Sequence, residues 1–190
     1  MTQSLRPAPE YLHAVRFYQD TDSLCRMVAQ FLQQGLADGL PGLVVATEPH
    51  RVGVAMELTK LGVDVPELRR EGSLLLLDAR EMLSLFMVDG KPHSGRFNYC
   101  MGEALNRACR GRRGSTLRVF GEMVDVLWKE GLHDAAIRLE VFWNQLARTR
   151  KFSLLCAYSM GNFYKDAALD DICSHHSHVV SADGEIAPRD

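Results

Sequence analysis

Several things this 190-residue sequence lacks narrow the field before any motif is read. Basic excess is missing: 22 Lys and Arg stand against 24 Asp and Glu, a net charge of −2, so no field draws in a nucleic-acid backbone and direct nucleic-acid binding is not expected. No run approaches the ~18 apolar residues of a membrane span, and Met1 to Glu10 holds two prolines and no apolar signal-peptide core. A cytoplasmic protein without membrane association is the expectation. A disulfide frame is missing too. The five cysteines, Cys25, Cys100, Cys109, Cys156 and Cys173, are odd in number, scattered, and set mostly in apolar patterns, as reduced core residues are.

Catalytic and phosphate-binding signatures are equally sparse. No G-x-G-x-x-G follows a predicted strand, and the first strand–helix turn, Tyr18-Gln19-Asp20-Thr21-Asp22-Ser23, has two acids and neither glycine nor lysine. A phosphate loop needs backbone N–H groups freed by glycine and a lysine to neutralise charge, whereas these acids repel phosphate. Gly111-Arg112-Arg113-Gly114 is basic but precedes a strand, so it reads as a solvated turn. Ser153, Cys156 and Ser159 lie near the last strand without a G-x-S-x-G elbow, and Cys156 reads as a buried small hydrophobe. Cys173, His175, His176 and His178 are metal-ligand types, but four ligands crowded into six positions cannot readily surround one ion, and no second ligand pair lies nearby. They read as weak metal candidates with a structural or incidental role; no metal or other cofactor is expected.

What is present is an alternation of strands and helices. Apolar runs at Leu12–Tyr18, Gly42–Ala46, Ser73–Leu77, Leu117–Phe120 and Phe152–Ala157 predict strands, and those without polar alternation suit parallel strands covered on both faces. Between them, stripes such as Leu24, Val28, Phe31, Leu32 and Phe97, Met101, Ala104, Leu105, Ala108 keep helical spacing. Asp20 or Thr21, Thr47 and Ser94 are the expected helix caps. The fold class that follows is α/β, a mostly parallel sheet flanked by helices on both faces. Residues 1–10 form an expected leader, 11–180 one domain, and 181–190 a polar tail.

The chain is organised around Val119-Phe120-Gly121-Glu122-Met123-Val124-Asp125-Val126-Leu127-Trp128. Here a strand ends, Gly121 is expected to let the backbone turn sharply, and Glu122 follows at the carboxyl edge, where open α/β sheets bind ligands. An acid there equally suits the first turn of the next helix. Other polar or aromatic groups on or just after strands are His13, Phe17, Tyr18, Thr47, His50, Asp78 and Tyr158. With Glu122 they form a candidate small-molecule site; singly, each also fits a cap or core role.

Several segments carry a resemblance. Phe17-Tyr18-Gln19-Asp20, Val45-Ala46-Thr47 with His50, Leu61-Gly62-Val63-Asp64, Leu77-Asp78-Ala79, Phe86-Met87-Val88-Asp89-Gly90, Val119 through Val124, Glu140 with Trp143-Asn144, and Leu155-Cys156-Ala157-Tyr158 together resemble the MEDS domain, the methanogen/methylotroph sensory domain. The resemblance implies a degenerate RecA/KaiC-like three-layer sandwich that has lost its phosphate loop. It also implies a non-enzymatic sensor in bacterial signalling or transcription regulation, responding to a small hydrocarbon-derived or one-carbon molecule. Such a sensor acts through a partner such as a histidine kinase or transcription regulator, and a homodimer is compatible with it. Leader and tail are too short for an output domain, so the chain is expected to be an isolated sensor or an excised domain. Two alternatives stay open: a nucleotide-binding or hydrolysing enzyme with Glu122 as general base, and a protein-interaction module for a kinase or anti-sigma-type partner.

Overall fold

The computed structural model describes residues 12–110, 116–162, 167–181 and 185–188. The expected leader, the Gly111–Gly114 turn and part of the expected tail lie outside them. The strands are β1 (His13–Tyr18), β2 (Gly42–Ala46), β3 (Leu74–Asp78), β4 (Met87–Val88), β5 (Lys91–Pro92), β6 (Leu117–Gly121), β7 (Phe152–Ser159), β8 (His178–Val180) and β9 (Ile186–Pro188). The α-helices are α1 (Thr21–Ala37), α2 (Glu48–Lys60), α3 (Val65–Glu71), α4 (Ala79–Phe86), α5 (Ser94–Cys109), α6 (Met123–Lys129), α7 (His133–Ala147) and α8 (Ala167–Ser174).

Seven strands form one sheet in the order β3-β2-β6-β7-β1-β8-β9. All neighbours pair in parallel except β8 and β9, which are antiparallel. β4 and β5 make a separate two-stranded hairpin. Successive side chains along a strand point to opposite faces. Thus Val15, Val119, Leu154 and Cys156 enter one core with α4 to α8, while Ala14, Phe120, Leu155 and Ala157 enter the other with α1, α2 and α3. The result is an α/β three-layer sandwich. Helices on both faces are why all five residues of β2, GLVVA, are buried.

All five strands expected from the sequence are present, and the fold adds β8 and β9, at three residues each too short to show a period. β9 lies in the stretch expected to be tail and pairs Ile186 with Val180. The helix α3 and the β4–β5 hairpin were also unforeseen. Two expected caps act differently. His93, not Ser94, caps α5 by accepting from the Arg96 N–H, and Thr47 precedes α2 without a side-chain capping bond. Gly121 is an ordinary strand residue outside the left-handed region, so the turn after β6 is made instead by Glu122, at φ −102° and ψ −7°. Glycine is needed at Gly53, where α2 crosses α1: a Cβ there would lie 2.5 Å from Cys25 Sγ.

Candidate functional site

Four of the eight candidate residues meet at the carboxyl edge. Tyr18 ends β1, Thr47 follows β2, His50 sits in the first turn of α2, and Glu122 follows β6. Parallel pairing of β2 with β6 puts these strand ends side by side. Although Glu122 starts α6, its side chain makes no capping bond there. It turns across to β2 instead, accepting from the Thr47 N–H at 2.8 Å and the Thr47 hydroxyl at 3.1 and 3.0 Å. His50 Nδ1 lies 2.9 Å from Glu122 Oε1, and His50 Nε2 lies 3.3 Å from the Thr21 hydroxyl at the start of α1. Burial raises the Glu122 pKa, but His50 and the Thr47 donors outweigh it and hold the carboxyl below its ordinary value.

Beside it stands a second acid. Asp125, fully buried in α6, accepts from the Tyr18 hydroxyl at 2.8 Å and the Ser159 N–H at 2.9 Å, and pairs with Lys129 at 2.6 Å. Lys129 also reaches the Tyr18 hydroxyl at 3.0 Å. Burial, then Asp125, push the Tyr18 phenol far above its ordinary range. Each acid therefore ties α6 to strand ends: Glu122 to β2, Asp125 to β1 and β7.

Where a phosphate loop would present free N–H groups, α1 is capped by Asp20, whose carboxylate accepts from the Ser23 N–H at 2.7 Å. Between α1 and α2 a cavity of about 310 Å³ opens, lined by Thr21, Cys25, Pro49, Val52, Met56 and Lys60 among others. Val52 and Met56 are more than half exposed beside it, and burial pushes the Cys25 thiol up to about 11. Thr21 connects this cavity to His50 and so to Glu122. A wider cleft of about 590 Å³ lies between the β5 turn and the start of α7, with Lys91, His133 and Arg138 in its wall.

The other four candidates do not join this network, although Asp78 ends β3 on the same edge, in register with Ala46. Asp78 caps α4 through the Arg80 and Glu81 N–H groups and pairs with Arg51 at 2.8 Å. Although burial raises its pKa, those partners lower it further. His13 is the first residue of β1, ~16 Å of strand from the carboxyl edge at about 3.3 Å per residue. It joins Tyr158 in a second polar cluster, between the sheet and α7; half-buried Phe17 stacks on Tyr158 at 6.1 Å.

That cluster centres on Glu140 of α7, which is fully buried. The Tyr158 hydroxyl donates to Oε1 at 2.7 Å, His13 Nε2 lies 3.2 Å from Oε2, Cys156 Sγ 3.6 Å from Oε2, and His176 Nε2 3.4 Å from Oε1. Burial raises the Glu140 pKa, yet His176 and His13 hold it well below its ordinary value. Burial conversely lowers the His13 pKa and raises those of the Cys156 thiol and the Tyr158 phenol. Of the crowded Cys173, His175, His176 and His178, only His176 is buried and reaches this cluster.

Asp125, Lys129, Glu140 and Asn144 were not among the expected site residues. The signal for two of them was an acid on an apolar helix face: Glu140 falls between Ala136 and Trp143, and Asp125 inside the wholly buried run Met123–Trp128.

Among the described residues no helix is long and apolar enough to cross a membrane. A UPF0273 protein of Aeropyrum pernix is 42% identical over 50 residues, 26% of this chain; the chain covers a fifth of that relative's length. Two solved structures from Pyrococcus horikoshii share the fold. One is an uncharacterized protein in complex with an unknown peptide (TM-score 0.65, 11% identity, 90% of this chain and 77% of that one). The other is a KaiC-like protein (TM-score 0.60, 13% identity, 90% and 72%). The sheet order, the helices on both faces and the Asp20 cap at the first turn fit a RecA/KaiC-like sandwich without a phosphate loop. Residues 12–177 match the methanogen/methylotroph, DcmR sensory domain, and the chain belongs to this MEDS family.

Proposed function

We propose that this sensory domain is non-enzymatic and binds a small, weakly polar molecule in the cavity between α1 and α2. The observation that carries this reading is the chain of contacts from that cavity to the sheet edge: Thr21 to His50, His50 to Glu122, Glu122 to Thr47. A volume of about 310 Å³ falls at the lower end of ordinary ligand pockets, roughly 300–1,000 Å³. Val52 and Met56 in its wall suit a hydrocarbon-derived or one-carbon compound, and Asp22, Arg26, Glu57 and Lys60 in the same lining offer it polar contacts. A ligand that draws Thr21 away from His50 changes the surroundings of the Glu122 carboxylate and, through it, the hold on α6. It signals only by favouring one arrangement over the other, since equal affinity for both shifts nothing. The shift of buried α6 is passed to the elements packed on it and so to a partner, a histidine kinase or transcription regulator.

Against nucleotide turnover stand the Asp20 carboxylate on the α1 N-terminus and the near-complete burial of Glu122. The test is a thermal-shift series with one-carbon and halogenated compounds, short alcohols and aromatics, with Mg-ATP as comparator. Ligand at ~100 times its Kd adds about 2.7 kcal/mol. At roughly 2–4 °C per kcal/mol for a chain of this size, the midpoint rises by about 5–10 °C. An organic hit that Thr21→Val weakens supports the reading. Stabilisation by Mg-ATP alone, with turnover lost in Glu122→Gln, overturns it in favour of an enzyme; a silent panel favours a pure interaction module.

A further inference from the structure

We infer that His13, Glu140, Cys156 and His176 form an enclosed tetrahedral site for a divalent zinc-like ion, one that ties the α8–β8 connection to the sheet. The ligand atoms of these four buried residues all lie within 4.8 Å of one another. At zinc bond lengths of about 2.0–2.1 Å to nitrogen or oxygen and 2.3 Å to sulfur, a tetrahedron has edges of about 3.3 Å between nitrogen and oxygen and about 3.6 Å to sulfur. The observed separations are His13 Nε2 to Glu140 Oε2 3.2 Å, His13 Nε2 to Cys156 Sγ 3.5 Å, and Cys156 Sγ to Glu140 Oε2 3.6 Å. These are three edges of one such face. His176 Nε2, 3.4 Å from the other Glu140 oxygen and within 4.8 Å of the other ligand atoms, is the fourth donor, drawn in to complete the tetrahedron when the ion binds.

Separations of 3.2–3.6 Å would also suit hydrogen bonds, and the histidine tautomers argue for a metal instead. His13 Nδ1 faces Asn144 Oδ1 at 3.0 Å, and the Asn144 amide is oriented by its own N–H donation to the His175 carbonyl at 2.9 Å. His176 Nδ1 faces the Ile172 carbonyl at 2.8 Å, which can only accept. Each ring therefore donates from Nδ1, and whenever no proton occupies Nε2 that nitrogen presents its lone pair to the cluster. The side chain of His176 is 0% exposed, and within the cluster its Nε2 faces the Glu140 carboxylate at 3.4 Å. Lone pairs from two imidazoles, a carboxylate and a sulfur converging on one point suit a cation. Backbone carbonyl and amide acceptors behind the histidines, and the Tyr158 hydroxyl behind Glu140, are the outer contacts by which metal ligands are held. On binding, the Cys156 thiol gives up its proton and coordinates as thiolate. Four protein ligands leave no open position, so the role is structural or metal-sensing, not catalytic. The site is independent of the α1–α2 cavity.

Chelator-stripped full-length chain is to be titrated with zinc and, separately, with cobalt(II). One ion per chain is expected, with a raised thermal midpoint, and cobalt should show tetrahedral d–d absorption together with a thiolate charge-transfer band. Cys156→Ser should remove the charge-transfer band, and His176→Gln should weaken zinc by more than the roughly 10–100-fold typical of outer contacts. His175→Gln and His178→Gln should change neither. Substoichiometric zinc without a thermal shift, or a cobalt spectrum of wild-type protein lacking thiolate and tetrahedral features, overturns the site without recourse to any variant. Equal loss in the His175 and His178 variants would place the ion on the surface instead.

Discussion

The Glu122 carboxylate is fastened to Thr47, across the sheet from the helix that Glu122 begins, by the Thr47 N–H at 2.8 Å and the Thr47 hydroxyl at 3.1 and 3.0 Å. The loops after β2 and β6 are therefore joined by a buried charge-assisted contact. Glu122→Gln keeps the shape and removes the charge, and hydrogen bonds to a charged group contribute ~1.5–3 kcal/mol. Urea denaturation near neutral pH should show a loss of that order with an unchanged m-value; an unchanged midpoint would mean that Thr47 and His50 find equal partners elsewhere.

The same contact sets a pH dependence. A carboxyl whose folded pKa is depressed stabilises the fold above its unfolded value, and the contribution is lost as pH falls through the folded one. For Glu122 the ordinary value is 4.5, so the loss begins near there and continues below. Asp78 is depressed as well, so the difference between wild type and Glu122→Gln isolates the Glu122 share. Urea midpoints of the two proteins should converge as pH is lowered from about 7 to below 4.5; a constant gap would show that the charge is not what matters.

Asp125 has three partners, Tyr18, Ser159 and Lys129, and the first and last also meet each other. Removing the Tyr18 hydroxyl leaves Lys129 in place, and removing the Lys129 ammonium leaves the hydroxyl. Together, Tyr18→Phe and Lys129→Met strip a buried carboxylate of both side-chain partners. The double variant should be less stable than the sum of the singles by about 0.5–3 kcal/mol in a thermodynamic cycle. Additivity would show that the three do not act as a network.

At the α1–α2 crossing, Gly53→Ala should destabilise by ~1–3 kcal/mol, as overpacking does. The obstruction is one atom, Cys25 Sγ; the next, Cys25 Cβ, lies 3.4 Å from the added methyl. Cys25→Ala should therefore rescue Gly53→Ala in thermal unfolding. If it does not, the helices themselves hold the spacing.

Phe97 is fully buried and meets Phe86 at 5.3 Å, Trp143 at 5.2 Å and Phe142 at 5.6 Å between ring centres. Phe97→Ala leaves a cavity among three rings and should cost ~3–5 kcal/mol in denaturant unfolding. A smaller cost would show that the neighbouring rings collapse into the space.

Strands legible in the sequence were those with enough residues to form an apolar run, such as Gly42–Ala46 and Phe152–Ala157. β8 and β9 owe their form to pairing with neighbours that only the fold supplies. Tyr18, Thr47, His50 and Glu122 could be grouped because parallel strands place successive carboxyl ends on one edge. His13 and Tyr158 could not be placed by that rule, because one opens its strand and the other turns inward to Glu140. The Glu140 cluster was out of reach for a different reason: Cys156, Glu140 and His176 come to His13 from separate elements. Local spacing says nothing of such convergence, and of residues 173–178 only His176 takes part in it.

β1 lies between β7 and β8, so both of its hydrogen-bonded flanks come from the far end of the chain: His13 meets Cys156 from 143 positions away and Ser177 from 164. A nascent chain emerging amino end first thus exposes an apolar strand with two open edges until nearly the whole domain has left the ribosome. Such non-local pairing is slow and leaves unpaired strand edges exposed to aggregation. Pairing of β1 is correspondingly late: the first of the described strands to be synthesised is among the last to be flanked on both edges.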